Sequence, residues 1–256
     1  MCLINLQFQE HPNYKLIVAA NRDEAYARPT APAQFWEDSP EILAGRDLLQ
    51  MGTWLGITKH GQFAALTNYR DPAHMKSGVN SRGKIITDYL ANDITAEAFL
   101  GSLKRDKDNY VGFNLILGNP DSLHYYNNIE NKAIKIIPGT HGLSNHFLNT
   151  PWPKVIKGKK RLREYVMSQK NINSDVLFEI LSDAEEAQDE HLPQTGVGLE
   201  LERKLSPLFI KTANYGTRSS TVLVIDRNDI VTFTERTYHA GKFVNEKQFS
   251  FQLESS

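Results

Sequence analysis

The sequence predicts an α+β protein built from packed antiparallel sheets. Segments in which apolar residues alternate with polar ones open and close the chain, and helix-like segments come in pairs between the strands. Because these helices do not follow each strand singly, the order argues against a doubly wound parallel sheet. The chain has no internal repeat and no convincing linker. We therefore expect one domain that spans residues 1–256.

The first half of the chain begins with a predicted β-hairpin. In MCLINLQF the residues Cys2, Ile4 and Leu6 share one face, and KLIVAAN forms a second, more apolar strand after the turn EHPNYK. The proline-rich segment 27–40 is expected to be a surface loop. GTWLGITKHGQFAALTNYRDP predicts two further strands, and NSRGKIITDYLAND and TAEAFLGSLKRDKD predict two helices.

The second half repeats this order of strands followed by a pair of helices. FNLILGN, SLHYYNN and KAIKIIPG predict three strands. Two helices are predicted next, from PWPKVIKGKKRLREYVMSQ and from NSDVLFEILSDAEEA. The first has Pro153 near its start. Residues 187–217 are expected to be irregular. STVLVID and IVTFTER form a last predicted hairpin, and KQFSFQLE alternates once more.

Composition excludes several classes of function. With 29 basic and 30 acidic residues, the chain has no charge bias toward nucleic acid or an anionic membrane. It has neither an apolar run long enough to span a membrane nor a secretory signal, so we expect no transmembrane segment. A single cysteine fits a reducing compartment, and we expect a cytoplasmic protein. The eight histidines form no metal-ligand motif, so no metal site is expected.

The single cysteine, Cys2, stands directly after the initiator methionine. It is either the small apolar first residue of an edge strand or, once Met1 is removed, the mature N-terminus. In the second case the thiol and a free α-amine sit on one carbon. A cysteine thiol ordinarily has a pKa of about 8.5 and an α-amine one of about 8, so the amine can act as the base that activates the thiol.

Four polar residues, Asn21-Arg22-Asp23-Glu24, follow the second predicted strand. Antiparallel pairing of residues 2–21 places Cys2 beside this run. The guanidinium of Arg22 would favour a thiolate, and the carboxylate of Asp23 could orient the terminal ammonium. The alternative interpretation is a polar turn that leaves the sheet.

Three further residues are candidates for a site around Cys2. Asn68 and Asn145 could donate hydrogen bonds to an oxyanion, although each could equally be a plain turn residue. Trp54, in Gly52-Thr53-Trp54-Leu55-Gly56, could form an aromatic wall beside a pocket. Core packing is the stronger interpretation for Trp54.

Six motifs, spread in order from residue 1 to about 235, together resemble the NRDE family of the transport and Golgi organisation protein. They are MCLI, AANRDE, GTWLGI, ALTNYR, GLSN…TPWPK and GTRSSTV. The resemblance implies a four-layer αββα sandwich of the N-terminal nucleophile (Ntn) hydrolase type. It also implies a distant relation to cysteine amidases that cleave penicillin V and conjugated bile acids. The implied catalytic residues are Cys2, Arg22, Asp23, Asn68, Asn145 and Arg218. The expected substrate contacts are Asn21, Glu24, Trp54 and Tyr69.

Two functions follow as hypotheses. The first is a hydrolase that cleaves a linear amide bond by acyl transfer to Cys2, without a cofactor. The second is a non-catalytic carrier or chaperone for haem, acyl-CoA or a similar hydrophobic metabolite. The resemblance associates this second function with haem trafficking, lipid metabolism, Golgi organisation and secretion. Both hypotheses expect a small-molecule partner and leave the oligomeric state open.

Overall fold

Thirteen β-strands and five α-helices make up the part of the chain that the computed structural model describes, residues 2–70, 72 and 80–254. The strands are β1 (Cys2–Phe8), β2 (Tyr14–Ala25), β3 (Thr30–Trp36), β4 (Ser39–Asp47), β5 (Leu55–Thr58), β6 (Phe63–Asn68), β7 (Phe113–Asn119), β8 (Ser122–Asn127), β9 (Lys132–Lys135), β10 (Gly139–Leu143), β11 (Tyr215–Asp226), β12 (Ile230–His239) and β13 (Lys242–Gln252). The helices are α1 (Arg82–Leu90), α2 (Ala96–Asp106), α3 (Pro153–Ser168), α4 (Ser174–Leu181) and α5 (Leu199–Leu205). Over these residues no helix combines the length and the apolar character that crossing a bilayer requires.

The strands form two antiparallel sheets. The first sheet has the order β10-β1-β2-β11-β12-β13, and the second has the order β3-β4-β5-β6-β7-β8-β9. The second sheet is a simple meander, whereas the first joins the two ends of the chain. The N-terminal hairpin therefore lies next to β11, at least 190 residues away in sequence.

The two sheets face each other, and helices cover their outer faces. Ile4 and Leu6 of the first sheet pack in one core with Ile57 and Phe63 of the second. Helices α1 and α2 share a second core with the outer face of β4, β6 and β7. Helices α3 and α4 share a third core with β2 and β11. These layers confirm the predicted α+β fold, a four-layer αββα sandwich.

The hairpin of β1 and β2 is present as predicted, but β2 is longer than expected. The run Asn21–Glu24 continues the strand to Ala25 instead of forming a turn after it. The reason is β11, which pairs with β2 as far as Ala25. It supplies hydrogen-bond partners for the residues of β2 that follow Arg22, the partner of the first residue of β1. The polar residues are therefore held in a rigid sheet.

Several elements differ from the sequence prediction. The predicted loop 27–40 contains β3, whose single proline, Pro32, is tolerated because β3 is an edge strand and Pro32 falls at an irregularity in its pairing. The strands β4 and β10 were not predicted. Within the segment predicted to be irregular, α5 begins after Gly198, a glycine with a φ of 88°.

Two glycines provide a matched test of the packing between β4, β5 and α1. A Cβ on Gly56 would lie 2.9 Å from both the Ala44 Cβ and the Leu90 Cδ1, whereas a Cβ on Gly101 of α2 would meet nothing within 4 Å. We expect Gly56→Ala to lower the free energy of unfolding by about 1–3 kcal/mol through overpacking. Gly101→Ala should raise it by up to about 1 kcal/mol, because alanine favours the helix. Urea unfolding measures both, and equal effects would contradict the packing described.

Candidate active site

Cys2 begins β1 and lies beside Arg22 of β2. The two residues are paired in the antiparallel register, and the same row continues to Ser219 of β11 and Thr237 of β12. Paired residues project from the same face of a sheet, and Ile4, two residues after Cys2, lies in the core between the sheets. The row therefore faces the second sheet. The register confirms that the hairpin brings Cys2 next to the Asn21–Glu24 run.

A cavity of about 590 Å³ opens beside this row. Its other walls come from the segment after β2, the segment after β4 and the start of α1. The predicted site residues that line it are Cys2, Arg22, Asp23, Glu24, Trp54, Asn68 and Arg218. Asn21, Tyr69 and Asn145 are not part of its lining. Most of the predicted site is thus brought together at one cavity.

The thiol of Cys2 lies in the wall of this cavity, and the residue is only 8% exposed. Burial raises the pKa of the Cys2 thiol, and the negative charge of Asp23 adds to the rise. The guanidinium of Arg22 and a hydrogen bond from the Asp23 backbone act in the opposite direction, but burial outweighs them. The thiol therefore needs an adjacent base before it can act as a nucleophile.

Asp23 is buried and anchored by β11. The Thr217 hydroxyl donates to Asp23 Oδ1 at 2.7 Å, and the Tyr215 hydroxyl donates to the Asp23 main-chain oxygen at 2.8 Å. Burial raises the pKa of the Asp23 carboxyl, while the positive charges of Lys154 and Arg22 oppose the rise. The carboxyl group is thus fixed in position on the residue that follows Arg22, the strand partner of Cys2.

Arg218 stands in a bulge of β11, where the pairing with β2 shifts register. Its Nη1 lies 2.9 to 3.0 Å from the carbonyl oxygens of Ala25, Tyr26 and Arg28, and its Nη2 donates to Thr30 Oγ1 at 3.2 Å. These bonds hold the segment between β2 and β3 against the first sheet. Arg218 therefore shapes one wall of the cavity.

The two asparagines occupy different places. Asn68 ends β6 and lines the cavity, whereas Asn145 is fully buried outside it. Asn145 Nδ2 donates to the main-chain oxygen of Asn68 at 3.0 Å, and the Ser144 hydroxyl donates to the main-chain oxygen of Cys2 at 3.0 Å. Asn145 is therefore not part of the cavity lining, and its role as an oxyanion donor stays a prediction. Its amide holds the Asn68 backbone in place.

Asn21 and Tyr69 do not line the cavity, and their assignment as substrate contacts stays a prediction. The Asn21 Nδ2 donates to two main-chain carbonyls at 2.8 and 2.9 Å, and its Oδ1 accepts from the Ser220 hydroxyl. Because Asn21 alternates with Arg22, it faces the helices rather than the second sheet. The Tyr69 hydroxyl lies 3.0 Å from His146 Nε2, and the two rings pack together.

Glu235 of β12 lines the cavity and was missed by the sequence analysis. It is buried, and its Oε1 accepts from the Ala33 N–H at 2.7 Å. Burial raises the pKa of the Glu235 carboxyl to about 7. The sequence did contain a signal, because Val231, Phe233 and Glu235 share the core-facing phase of one alternating strand.

Arg82 is a second cavity residue that the motifs did not indicate. It is the first residue of α1, and its Nη1 donates to the main-chain oxygen of Gly112 at 3.2 Å. Burial lowers the pKa of the Arg82 guanidinium, and the nearby Cys2 opposes that change. No sequence signal marks Arg82, because only the packing of α1 against the second sheet brings it near Cys2.

A separate charged cluster lies at the start of α3. Arg70 Nη1 donates to Glu202 Oε2 at 2.8 Å, and both side chains are nearly inaccessible to solvent. Lys154 is also buried, and its Nζ has no hydrogen-bond partner among the residues that the structure describes. Burial lowers the pKa of Lys154 to about 8, and the negative charge of Asp23 opposes the shift. This cluster contributes positive potential to Asp23.

One group of potential metal ligands lies outside the cavity. Single ligand atoms of Glu41, His60 and Glu254 come within 4.8 Å of one another. All three residues are exposed, and exposed acidic groups of this kind are common without a metal. We assign no metal to them.

The sequence profile of the family described as Transport and Golgi organisation 2 matches residues 1–240. The chain belongs to this family. The Homo sapiens homolog of Transport and Golgi organization protein 2 is 37% identical over 257 residues, which cover 93% of each chain. The Mus musculus homolog is 36% identical with the same coverage, and the Drosophila melanogaster protein is 27% identical over 265 residues, or 93% of this chain and 92% of its own. These names specify no reaction.

The fold is similar to that of solved Ntn-type hydrolases. Two variants of the conjugated bile acid hydrolase from Clostridium perfringens align over 100% of this chain and 98% of their own, with TM-scores of 0.52 and 0.50. Their sequences are 10% and 9% identical to this chain. At this level of identity the likeness shows the fold alone.

The buried carboxyl of Glu235 predicts a pH-dependent stability. Its pKa rises from 4.5 to about 7 on folding, so its contribution is fully present below pH 4.5 and is lost as the pH rises through 7. Glu235→Gln keeps an acceptor for the Ala33 N–H but cannot ionise. In the original protein we expect the free energy of unfolding to fall by up to about 3 kcal/mol between pH 4.5 and 8 because Glu235 ionises. Glu235→Gln should not show this fall.

Urea unfolding across this pH range measures the effect. Glu179→Gln, which changes an exposed residue of α4, is the matched control and should leave the pH dependence unchanged. A Glu235→Gln variant with the slope of the original protein would contradict the assignment.

Proposed function

We propose that this protein is an Ntn-type hydrolase that cleaves a linear carbon–nitrogen amide bond with Cys2 as the nucleophile. The observation that carries the proposal is the position of Cys2 as the first residue of a central hairpin, in the wall of a cavity of about 590 Å³ and paired with Arg22. The likeness of the fold to bile acid hydrolases supports the proposal.

The first step forms a covalent acyl-enzyme. Once Met1 is removed, the α-amine of Cys2 takes the thiol proton, and the thiolate sulfur attacks the amide carbonyl carbon. The carbonyl π electrons move to oxygen, where the Asn68 amide can donate a hydrogen bond. When this intermediate collapses, the carbon–nitrogen bond breaks and the ammonium returns its proton to the leaving nitrogen. The acyl group remains as a thioester on Cys2.

The second step hydrolyses the thioester. The same α-amine takes a proton from water, whose oxygen attacks the thioester carbon, and the Cys2 sulfur leaves and recovers the proton. Arg22 stabilises the thiolate in both steps. The anchored Asp23 carboxylate would orient the ammonium, and Arg218 keeps the cavity wall in shape.

The proposal predicts a reactive N-terminal thiol. We expect the intact mass of the untagged protein to lack one methionine and to gain one carbamidomethyl group with iodoacetamide. A panel of N-acyl amides with a fluorogenic amine should then contain a substrate, for which Cys2→Ala lowers kcat/KM by at least about 10³-fold. Unchanged turnover in Cys2→Ala would rule the nucleophile out.

A second variant separates the amine from the thiol. An alanine inserted between Met1 and Cys2 keeps the thiol but moves the free amine one residue away. Turnover should be lost because the base is no longer on the same carbon as the thiol. Full turnover in this variant would show that another group is the base.

A carrier function is the second candidate, and the volume of the cavity favours it. Burial raises the pKa of the thiol and so favours its unreactive form, while the cavity has the volume typical of small-molecule sites. The ligand would be haem or an acyl-CoA. Cys2 and His239, which both line the cavity, are side chains of the kinds that ligate haem iron.

Titration with haemin tests this candidate. A carrier should give a saturable Soret shift that weakens in Cys2→Ala or His239→Ala, or should retain an acyl-CoA in native mass spectra. A protein that does neither is not a carrier of these ligands. Binding without turnover of any amide would favour the carrier over the hydrolase.

A further inference from the structure

We propose that Arg22 and Arg82 form an anion-binding subsite beside Cys2, which takes a carboxylate carried by the substrate close to its scissile amide bond. This inference rests on the proposed hydrolase function and adds a substrate class to it. It follows from the hydrogen bonds of the arginines that line the cavity.

The guanidinium of Arg22 is largely buried, and no carboxylate of the described residues lies within hydrogen-bond distance of it. Its side chain is 13% exposed and lines the cavity on the row that contains Cys2. The nearest carboxylate oxygens, of Glu24 and Asp47, each lie 3.9 Å from its Nη2, which is beyond hydrogen-bond distance. Among the residues that the structure describes, none accepts a hydrogen bond from this guanidinium.

Arg82 lines the same cavity, and most of its donors have no acceptor among the residues that the structure describes. Its hydrogen bond to Gly112 occupies only one of the five N–H groups of the guanidinium. The pKa of Arg82 is lowered first by burial, and Cys2 is the next strongest influence on it. The guanidinium is therefore partly desolvated, and it lines the same cavity as the thiol.

The other arginines of the cavity wall are committed to protein acceptors. Arg46 donates to both carboxylate oxygens of Asp38 at 2.6 and 2.7 Å, and Arg28 Nε donates to Asp47 at 2.5 Å. Arg218 donates to main-chain carbonyls and Thr30. Arg28 and Arg82 each use one donor on the described residues, but the acceptor of Arg28 is a carboxylate. Arg22 and Arg82 are therefore the cavity arginines that lack both a carboxylate at hydrogen-bond distance and several main-chain acceptors.

A carboxylate suits this arrangement electrostatically. A desolvated cation with no carboxylate at hydrogen-bond distance is unfavourable, and a planar carboxylate matches the paired N–H groups of a guanidinium. Arg22 also acts on Arg218, whose pKa is lowered by burial and then by the positive charge of Arg22. A bound anion would reduce this repulsion between like charges.

Two alkylating reagents with the same reactive carbon test the subsite without a known substrate. Iodoacetate carries a carboxylate beside its electrophilic carbon, and iodoacetamide carries a neutral amide there. The ratio of their rates with Cys2, followed by intact mass, cancels any change in the thiol pKa. We expect this ratio to be about tenfold higher than for N-acetylcysteine at the same pH, and to fall with added salt.

Variants of Arg82 locate the effect. Arg82→Gln should lower the ratio by about tenfold, and Arg82→Lys should keep part of it. Arg105→Gln removes the same formal charge from an exposed site on α2 and should leave the ratio unchanged. A ratio in Arg82→Gln equal to that of the original protein would overturn the proposal.

A binding measurement covers the case in which the thiol reacts with neither reagent. N-octanoylglycine should raise the melting temperature more than the uncharged N-octanoylglycinamide, and Arg82→Gln should abolish the difference. Equal shifts, or no shift with either compound, would overturn the subsite. Binding of N-octanoylglycine without its hydrolysis would leave the subsite intact and count against hydrolysis of this amide, so the two proposals fail separately.

Discussion

The pairing of β2 with both β1 and β11 is the constraint on which the rest of the structure depends. It joins the first residues of the chain to a strand that begins at Tyr215, and it places Cys2, Arg22 and Ser219 in one row. Because the row projects into the space between the sheets, Cys2 lies in the wall of a cavity instead of in solvent. Asp23 is held by the same pairing through Thr217.

Burial is the main influence on the chemistry of this site. It raises the pKa values of Cys2, Asp23 and Glu235 and lowers that of Lys154, in each case as the largest cause. The low polarity of the surroundings disfavours every isolated charge, so ionisation depends on close partners. A nucleophile that carries its own base is suited to such a place, because the proton moves over a short distance within one residue.

Hydrogen bonding divides the polar residues around the cavity into two groups. Asn21, Asn145 and Arg218 use their donors on main-chain carbonyls and so hold strands and turns in position. Arg22 and Arg82 retain donors that face the cavity. The division matters for function, since only a donor without a protein acceptor can form a hydrogen bond to a ligand without breaking one within the protein.

The sequence by itself determined the α+β class, the first hairpin and the neighbourhood of Cys2, because alternation and antiparallel pairing are local rules. It also indicated that Asn21, Arg22 and Asp23 stand close together, but it did not separate their faces. Only the tertiary structure decided that Asn21 faces the helices while Arg22 faces the cavity, since the sequence left open whether these residues form a turn, and pairing with a third strand extends β2 through them. Arg82 and Glu235 join the site for the same reason: they come from elements far from Cys2 in sequence, and packing of the two sheets brings them to one cavity.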